Sequence, residues 1–400
     1  MTRRGRSLDR KYSSSRVLHA ERETRNAERG LIAFAISPPG FEDLVEAELK
    51  ELGLNTRRGV GGVELRGSWS DLFRANLHCR VASRILLRIA EFSAETFPAL
   101  RAGLAAVPWS RWLPPRPRLS FRVAKHRTRL YHTGKVAEAA RDALAASAGA
   151  VGGDAEGQGS LTLYLRLEGE RVTVSLDTSG EHLHRRGYRR DAAPAPLREN
   201  VAAALLERAR WRGDEAFLDP LCGSGTLAIE AARFSLGIPA GWLRGFAFEA
   251  FPSFDPASWR RVRAEAEGRI RAHLPAPVFA SDGDPRALRL AAAAAKEAGL
   301  AEEFQIALAE IEELEPPAEG GLVMTNPPWG LRLKGAEPAY RSLGSALRGP
   351  FARWRWAAVV GRPDLERTAG LRPRERHPFR SGGIRLWLAE GGPEAAAEAP

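Results

Sequence analysis

Cysteine is almost missing from this chain of 400 residues, where Cys79 and Cys222 are the only two. Two thiols exclude a disulfide framework and a cysteine-based zinc site. Lysine is scarce too: six of the 60 basic residues are lysine and the rest arginine. No stretch approaches the ~18 uninterrupted apolar residues that a membrane-spanning helix needs, so no membrane contact is expected. The N-terminus is too polar for a signal peptide, which leaves the cytoplasm as the expected location. Against the 60 bases stand 49 acids, for a net charge of +11. That balance suits a polyanionic partner. An arginine-, alanine- and glycine-rich composition also fits a GC-rich genome, so the charge supports a nucleic-acid reading without carrying it. The length suffices for two or three domains of about 100–200 residues each.

Residues 1–29 carry nine cations and almost no large apolar side chain, as a disordered basic arm would. Residues 391–400 read as a frayed tail. Leu31–Ile36 reads as a strand, Gly40–Leu52 as an amphipathic helix, Val60–Leu65 as a strand, Trp69–Leu77 as a helix and Arg84–Phe92 as a strand. That order makes residues 30–95 a small α+β unit. Residues 96–180 follow as a second unit, with a strand at Leu119–Ala124, a helix at Val136–Ala146 and a hairpin of Leu161–Leu167 with Arg171–Asp177. Between its first strand and helix lie Lys125, His126, Arg127, Arg129 and Lys135, with Tyr131 among them. Mobile cations beside a helix start suit phosphate contacts, as a solvated loop also would. His126 and His132 have no third ligand nearby, so no metal site is expected.

From residue 181 to 390 helices and strands alternate, which predicts a doubly wound, mostly parallel sheet covered on both faces. Ligands then bind at the carboxyl ends of the strands. Three chemistry-bearing segments fall at such ends. Phe217-Leu218-Asp219 runs into Pro220-Leu221-Cys222-Gly223-Ser224-Gly225-Thr226, and Gly223, Gly225 and Ala228 have the spacing of a nucleotide-binding turn. Asp219 beside that turn would repel phosphate and attract an ammonium, which favours S-adenosylmethionine over a dinucleotide. The second segment, a strand over 277–282, ends in acids: Asp282 suits a ribose, and Asp284 suits a helix cap or the ligand edge. Because 63 positions separate Asp219 from Asp282, residues 236–276 read as an insertion.

The third segment is Asn326-Pro327-Pro328-Trp329, after the apolar strand Gly321–Thr325. An amide oxygen and a neighbouring carbonyl can accept both hydrogens of an exocyclic amine, while an aromatic face stacks on the ring that bears it. Prolines stiffen the lip and remove competing donors. A proline-terminated strand with a hydrophobic plug is the bland alternative.

With Asp219–Thr226, Ile229-Glu230-Ala231-Ala232, Asn326–Gly330 with Arg332, and the run from His184-Arg185-Arg186-Gly187-Tyr188-Arg189 to Ala195-Pro196-Leu197-Arg198-Glu199-Asn200, the chain resembles the THUMP-domain class I RNA methyltransferases. The likeness is nearest to the N-terminal half of the large bacterial 23S rRNA guanine-N2 enzymes and covers roughly residues 31–390. It implies an α/β Rossmann-like methyltransferase domain preceded by a ferredoxin-like and THUMP RNA-binding module. Carried over by position, Asp219, Gly223, Gly225 and Thr226 would line the methionine end of S-adenosylmethionine, with Cys222 and Ser224 of the same turn counted among the cofactor-binding residues. Asp282 would hold the ribose, Asp284 would cap the helix or touch the ligand edge, and Glu310 is the available acid for the adenine. Asn326, Pro327, Pro328 and Trp329 would form the catalytic lip; the family more usually has tyrosine or phenylalanine at the last position.

The expected reaction is methyl transfer to guanine N2 in RNA, with rRNA favoured over tRNA, no metal, and a monomer favoured. The same tetrapeptide serves adenine-N6 DNA methylation and glutamine-N5 protein methylation, and a non-catalytic RNA-binding factor is a rival of another class. The basic N-terminal module favours RNA.

Overall fold

The computed structural model describes residues 30–152, 160–189, 197–329 and 336–393. The basic arm, most of the C-terminal tail, Ala195, Pro196, Gly330 and Arg332 lie outside these.

The two N-terminal units share one eight-stranded sheet. Its strands are β1 (Leu31–Ile36), β2 (Asn55–Gly59), β3 (Gly62–Gly67), β4 (Arg84–Ser93), β5 (Arg118–His126), β6 (Val151–Gly152), β7 (Ser160–Glu168) and β8 (Arg171–Asp177), ordered β2-β3-β1-β4-β8-β7-β5-β6. Antiparallel pairing of β4 with β8 joins the ferredoxin-like half to the rest, across a bulge between Arg88 and Ala90. Strand β2 was absent from the sequence reading. It is a polar edge strand with almost no side chain buried, so it has no apolar alternation to reveal it.

Helix α1 (Glu42–Glu51) buries Val45 and Leu49, and α2 (Trp69–His78) buries Leu72, Phe73 and Leu77. A capping box between Ser68 and Asp71 sets the start of α2. Helices α3 (Phe97–Ala105) and α4 (Thr133–Ala148) complete the module. Helix α4 starts three residues before the expected Val136, which puts Lys135 in its first turn.

The second sheet contains β9 (Ala216–Asp219), β10 (Val278–Asp282), β11 (Phe304–Leu308), β12 (Gly321–Thr325), β13 (Arg355–Val360), β14 (Glu375–Ser381) and β15 (Ile384–Gly391), in the order β11-β10-β9-β12-β13-β15-β14. The first five run parallel, and β15 and β14 close the edge antiparallel. Every residue of β9 and β12 is buried, as a sheet covered on both faces requires. From β9 the chain winds outward through β10 and β11, then returns to β12 on the other side of β9. The gap between β9 and β12 is therefore the topological switch point, where ligands bind in doubly wound sheets. Close packing there demands Gly321, since a Cβ would meet the Ala216 carbonyl oxygen at 2.3 Å.

The insertion after α6 (Thr226–Ser235) is an ordered wedge carrying α7 (Pro256–Glu267), a helix missing from the sequence reading. Phe248, Phe254 and Trp259 surround Phe73 of α2, with ring centroids 4.6, 5.9 and 5.8 Å away. These contacts fasten the second domain to the first. Helix α5 (Glu199–Arg208) adds a paired contact, with Arg208 donating to both carboxylate oxygens of Asp43 at 2.8 and 2.9 Å.

Candidate functional site

A cavity of about 410 Å³ opens at the switch point, within the range of small-molecule sites. Asp219, Cys222, Gly223, Ser224, Thr226, Asp284 and Asn326 line it. These come from the ends of β9 and β12, the glycine turn, and the start of α8 (Pro285–Glu297). Leu197, Leu221, Leu227, Arg286, Ala287 and Leu290 complete the wall.

Asp219 ends β9 and is 2% exposed. One carboxylate oxygen accepts the Leu221 amide at 3.3 Å. The Thr325 hydroxyl lies close enough to favour the charged form, yet no hydrogen bond of ordinary geometry closes on its oxygen. Burial dominates and pushes the Asp219 carboxyl up to about 7, with Asp282 adding to the rise. No cation pairs with this buried acid among the described residues. The Cys222 thiol is raised by burial, then by Asp219 and Asp282, so it is a packing group and no nucleophile.

The glycine turn is held from below. The Gly223 amide donates to Asp282 Oδ2 at 2.8 Å, and the Cys222 amide donates to the Ser281 carbonyl at 2.9 Å. Gly223 and Gly225 have φ of +53° and +77°, a conformation that side chains resist. Gly225 caps α6 and faces Ala291 of α8, where a Cβ would come within 3.1 Å. It shapes the turn from outside the cavity wall.

The two acids after β10 divide their work. Asp282 accepts the Gly223 amide on one oxygen and the Asp284 amide, at 2.9 Å, on the other. Asp284 caps α8 through the Arg286 amide at 2.8 Å and faces the cavity. Glu310 follows β11 and lies over Gly283, where a Cβ would meet its Oε1 at 2.3 Å. It sits beside the acidic loop and outside the cavity wall.

On the opposite side Asn326 is half-buried, Pro327 buried and Pro328 exposed. Trp329 Nε1 donates to Asn326 Oδ1 at 2.9 Å. The Trp329 side chain also packs on Gly361, where a Cβ would approach it to 2.8 Å. Of the four residues of the lip, only Asn326 lines the cavity.

Lys125 and His126 end β5, Arg127 and Arg129 lie in the connection, and Lys135 sits in the first turn of α4; all five are exposed and none lines the cavity. Arg127 has a φ of +48°, and Arg129 pairs with Glu95 at 2.9 Å. Tyr131, 60% exposed, lies against His132.

Sequence reasoning missed Leu197, Arg286 and Arg189. Leu197 and Arg189 fall inside the run used for the family resemblance, where only their type was legible. Arg189 donates to the hydroxyls of Ser224, at 3.0 Å, and Thr226, and pairs with Glu199 at 3.2 Å. Among the described residues no cluster of His, Cys, Asp and Glu is placed to hold a metal, and no helix is long and apolar enough to cross a membrane.

Residues 186–389 match the family described as RMKL-like, methyltransferase domain. The chain belongs to that methyltransferase family. Residues 33–86 match the RlmL ferredoxin-like domain, in agreement with the N-terminal fold. The ribosomal RNA large subunit methyltransferase K/L of Methylococcus capsulatus is 35% identical over 379 residues, covering 90% of this chain and 51% of that protein. The chain thus spans about half the length of the curated K/L relatives it matches. YpsC of Bacillus subtilis, described as a candidate RNA methyltransferase, is 30% identical over 88% of this chain and 93% of its own length. The solved structure of SMU.472 in complex with SAH superposes with a TM-score of 0.83 at 27% identity, covering 92% of this chain and 99% of that one.

Proposed function

We propose that this chain methylates the exocyclic N2 of a guanine in RNA, with S-adenosylmethionine as the methyl donor and large-subunit rRNA in the cytoplasm as the substrate. One observation carries the reading: Asp219 and Asn326 line the same cavity from the two strands that flank the switch point. A site for an ammonium and a site for a planar amine are thereby set side by side. The relatives named for large-subunit rRNA methylation, and the SAH complex of a protein with this fold, favour the substrate and the donor.

The residues fit that donor. Asp219 is a buried acid that no cation pairs with among the described residues, and an amino-acid ammonium supplies one. The glycine turn lets the backbone approach the methionine end, with Cys222, Gly223, Ser224 and Thr226 forming its floor and Gly225 shaping the turn from outside it. Asp284 meets the ribose from the cavity wall, Asp282 supports it from behind Gly223, and Glu310 guards the outer edge of that loop. When bound, the donor supplies an electrophilic methyl on a sulfonium, which guanine N2 takes with loss of one N–H proton to solvent.

The protein's part is orientation and charge stabilisation. Asn326 Oδ1 has two lone pairs; the Trp329 indole occupies one, leaving the other for an amine hydrogen. The Pro327 carbonyl offers a second acceptor. Accepting both hydrogens draws the amine out of conjugation with the ring and stabilises the positive charge that develops on nitrogen. The guanine must leave its stack to enter, at a cost of a few kcal/mol that contact with the Trp329 ring offsets in part. Lys125, His126, Arg127, Arg129 and Lys135 hold the RNA backbone on the N-terminal module.

Nucleoside mass spectrometry of rRNA and tRNA from a deletion strain tests this. The expected result is loss of N2-methylguanosine from large-subunit rRNA, restored by the intact gene. Loss from tRNA alone would move the substrate, and an unchanged profile in both pools would remove the assignment.

A further inference from the structure

A second cavity, of about 800 Å³, opens where the N-terminal module meets the methyltransferase domain, and it takes no part in the proposed reaction. Its wall comes from the start of β7, from the connecting segment over 179–185, and from residues 244–250 of the wedge. We propose that this cavity holds a base of the substrate RNA, a few nucleotides from the target guanine, stacked on the guanidinium plane of Arg244. The inference rests on the proposed methylation of RNA and goes beyond it by naming a second subsite.

Arg244 has no hydrogen left to donate. A guanidinium carries five N–H groups, and five carbonyl oxygens meet them here. Nε donates to Gly245 at 3.3 Å, Nη1 to His182 and Arg185 at 2.6 and 3.1 Å, and Nη2 to Ser179 and Glu181, both at 2.8 Å. The group is thereby fixed in its own plane. Burial lowers it to about 10, so it stays charged at neutral pH. One face lies over the Phe246 ring, 5.3 Å from the centroid. Because Arg244 lines the cavity, the opposite face is the one it presents there. A flat cation whose in-plane donors are all engaged still holds a ligand through that face, and an unstacked base is such a ligand.

The charges around the cavity argue against a phosphate as occupant. Arg84 pairs with Asp177, and Arg185 pairs with Glu181 at 3.1 Å. Glu249 of the wall is a third acid, set against Arg244. Three arginines against three acids leave no excess charge for an anion. An uncharged base gains instead from the cationic plate and from the apolar side chains of Leu161, Ala247 and Ala250. The two cavities are also within reach of one RNA strand. Arg185 lines this one, while Arg189 donates to Ser224 and Thr226 in the wall of the other. Four residues of extended chain span at most about 14 Å, which unstacked RNA covers in a few nucleotides.

Methylation kinetics of the full chain test this on RNA oligonucleotides that span the guanine whose methylation the deletion strain loses. A single abasic site is moved stepwise along either side of that guanine. At one position a few nucleotides away it should raise KM about tenfold in the wild type, the worth of one stacked base, with kcat little changed. Ala250 makes none of the hydrogen bonds of Arg244, so Ala250→Trp narrows the cavity and leaves the plate in place. This variant should raise KM for intact RNA by a similar factor, and the abasic site should then add nothing. Arg244→Gln should behave alike, and an unchanged affinity for S-adenosylhomocysteine in both variants reports an intact fold. If no abasic position matters, or if its penalty multiplies that of Ala250→Trp, the cavity holds no base. A wild type that methylates no RNA would instead overturn the proposed function.

Discussion

The indole Nε1 of Trp329 donates to the carboxamide oxygen of Asn326 at 2.9 Å. Because an indole can only donate, the bond identifies which end of the amide is oxygen and fixes its rotation. Tyrosine or phenylalanine could not do this in the same way. Trp329→Phe should keep an aromatic face while freeing the amide to rotate. A neutral hydrogen bond is worth about 0.5–1.5 kcal/mol, so turnover should fall roughly two- to tenfold with donor affinity unchanged. Single-turnover kinetics on an RNA substrate, beside a binding titration, gives both numbers. Unaltered turnover would show that the bond has no bearing on the chemistry.

Removing the amide itself should cost more. Asn326→Ala takes away an acceptor that stabilises developing charge, for which losses of about 10²–10³ in turnover are typical. The side chain is half-buried at the end of β12, so the fold should survive. Donor affinity should change little, since the glycine turn and Asp219 remain. A comparable loss of binding and turnover would place Asn326 in the donor pocket rather than at the methyl acceptor.

Asp219 gives a pH dependence with a definite sign. Burial outweighs the Leu221 amide and the Thr325 hydroxyl and pushes its carboxyl up to about 7. Only the charged form attracts an ammonium, so affinity for the donor should rise with pH through about 7 and then level off. Binding at pH 6 should release a proton, seen as a dependence of the calorimetric heat on the buffer. Folding has the opposite slope. A folded pKa above the unfolded value stabilises the protein at low pH, and that contribution is lost as pH rises through the folded value. Asp219→Asn should therefore bind the donor poorly at every pH, while its empty form gains on the order of a few kcal/mol over wild type at pH 8. A variant with the wild-type pH profile would mean that another group titrates.

How far the sequence disclosed this molecule depended on where each signal was encoded. Strand β12 has the bounds read from sequence and β9 ends where it was read to end, since buried parallel strands are short apolar runs, and the glycine pair marks the turn into α6. Strand β2 and the proline-bearing edge strand β14 lack such runs and were missed. Helix α7 was hidden in a segment rich in bulky aromatics, and its own Trp259 packs on Phe73, a partner almost 200 positions away. In the site, the acids and the lip could be found as residue types at strand ends. Which of Asp282 and Asp284 faces the cavity, that Arg189 reaches the glycine turn, and that Trp329 bonds Asn326 are matters of tertiary placement with no local signature.

The last prediction concerns the joint between the two domains. Arg186 and Glu230 are both fully buried and pair at 3.2 Å, with Tyr188 donating to the same carboxylate at 3.0 Å. Arg186 also donates to the Arg80 carbonyl of the N-terminal module at 2.6 Å. Burial alone would raise the Glu230 carboxyl, but Arg186, Arg233 and Arg80 outweigh it and hold the group below its ordinary value. A lowered carboxylate stabilises the fold above its unfolded pKa, and that share is lost as pH falls through the folded one. Glu230→Gln keeps the shape and strands three buried guanidinium groups without their anion. Breaking such a pair from one side costs about 3–5 kcal/mol, so urea unfolding at pH 7 should show a loss of that order. The gap to wild type should narrow as the pH is lowered, since acid removes the same charge from the wild type. A gap that stays constant from pH 7 to acid would show that packing at Glu230, rather than its charge, holds the N-terminal module to the methyltransferase domain.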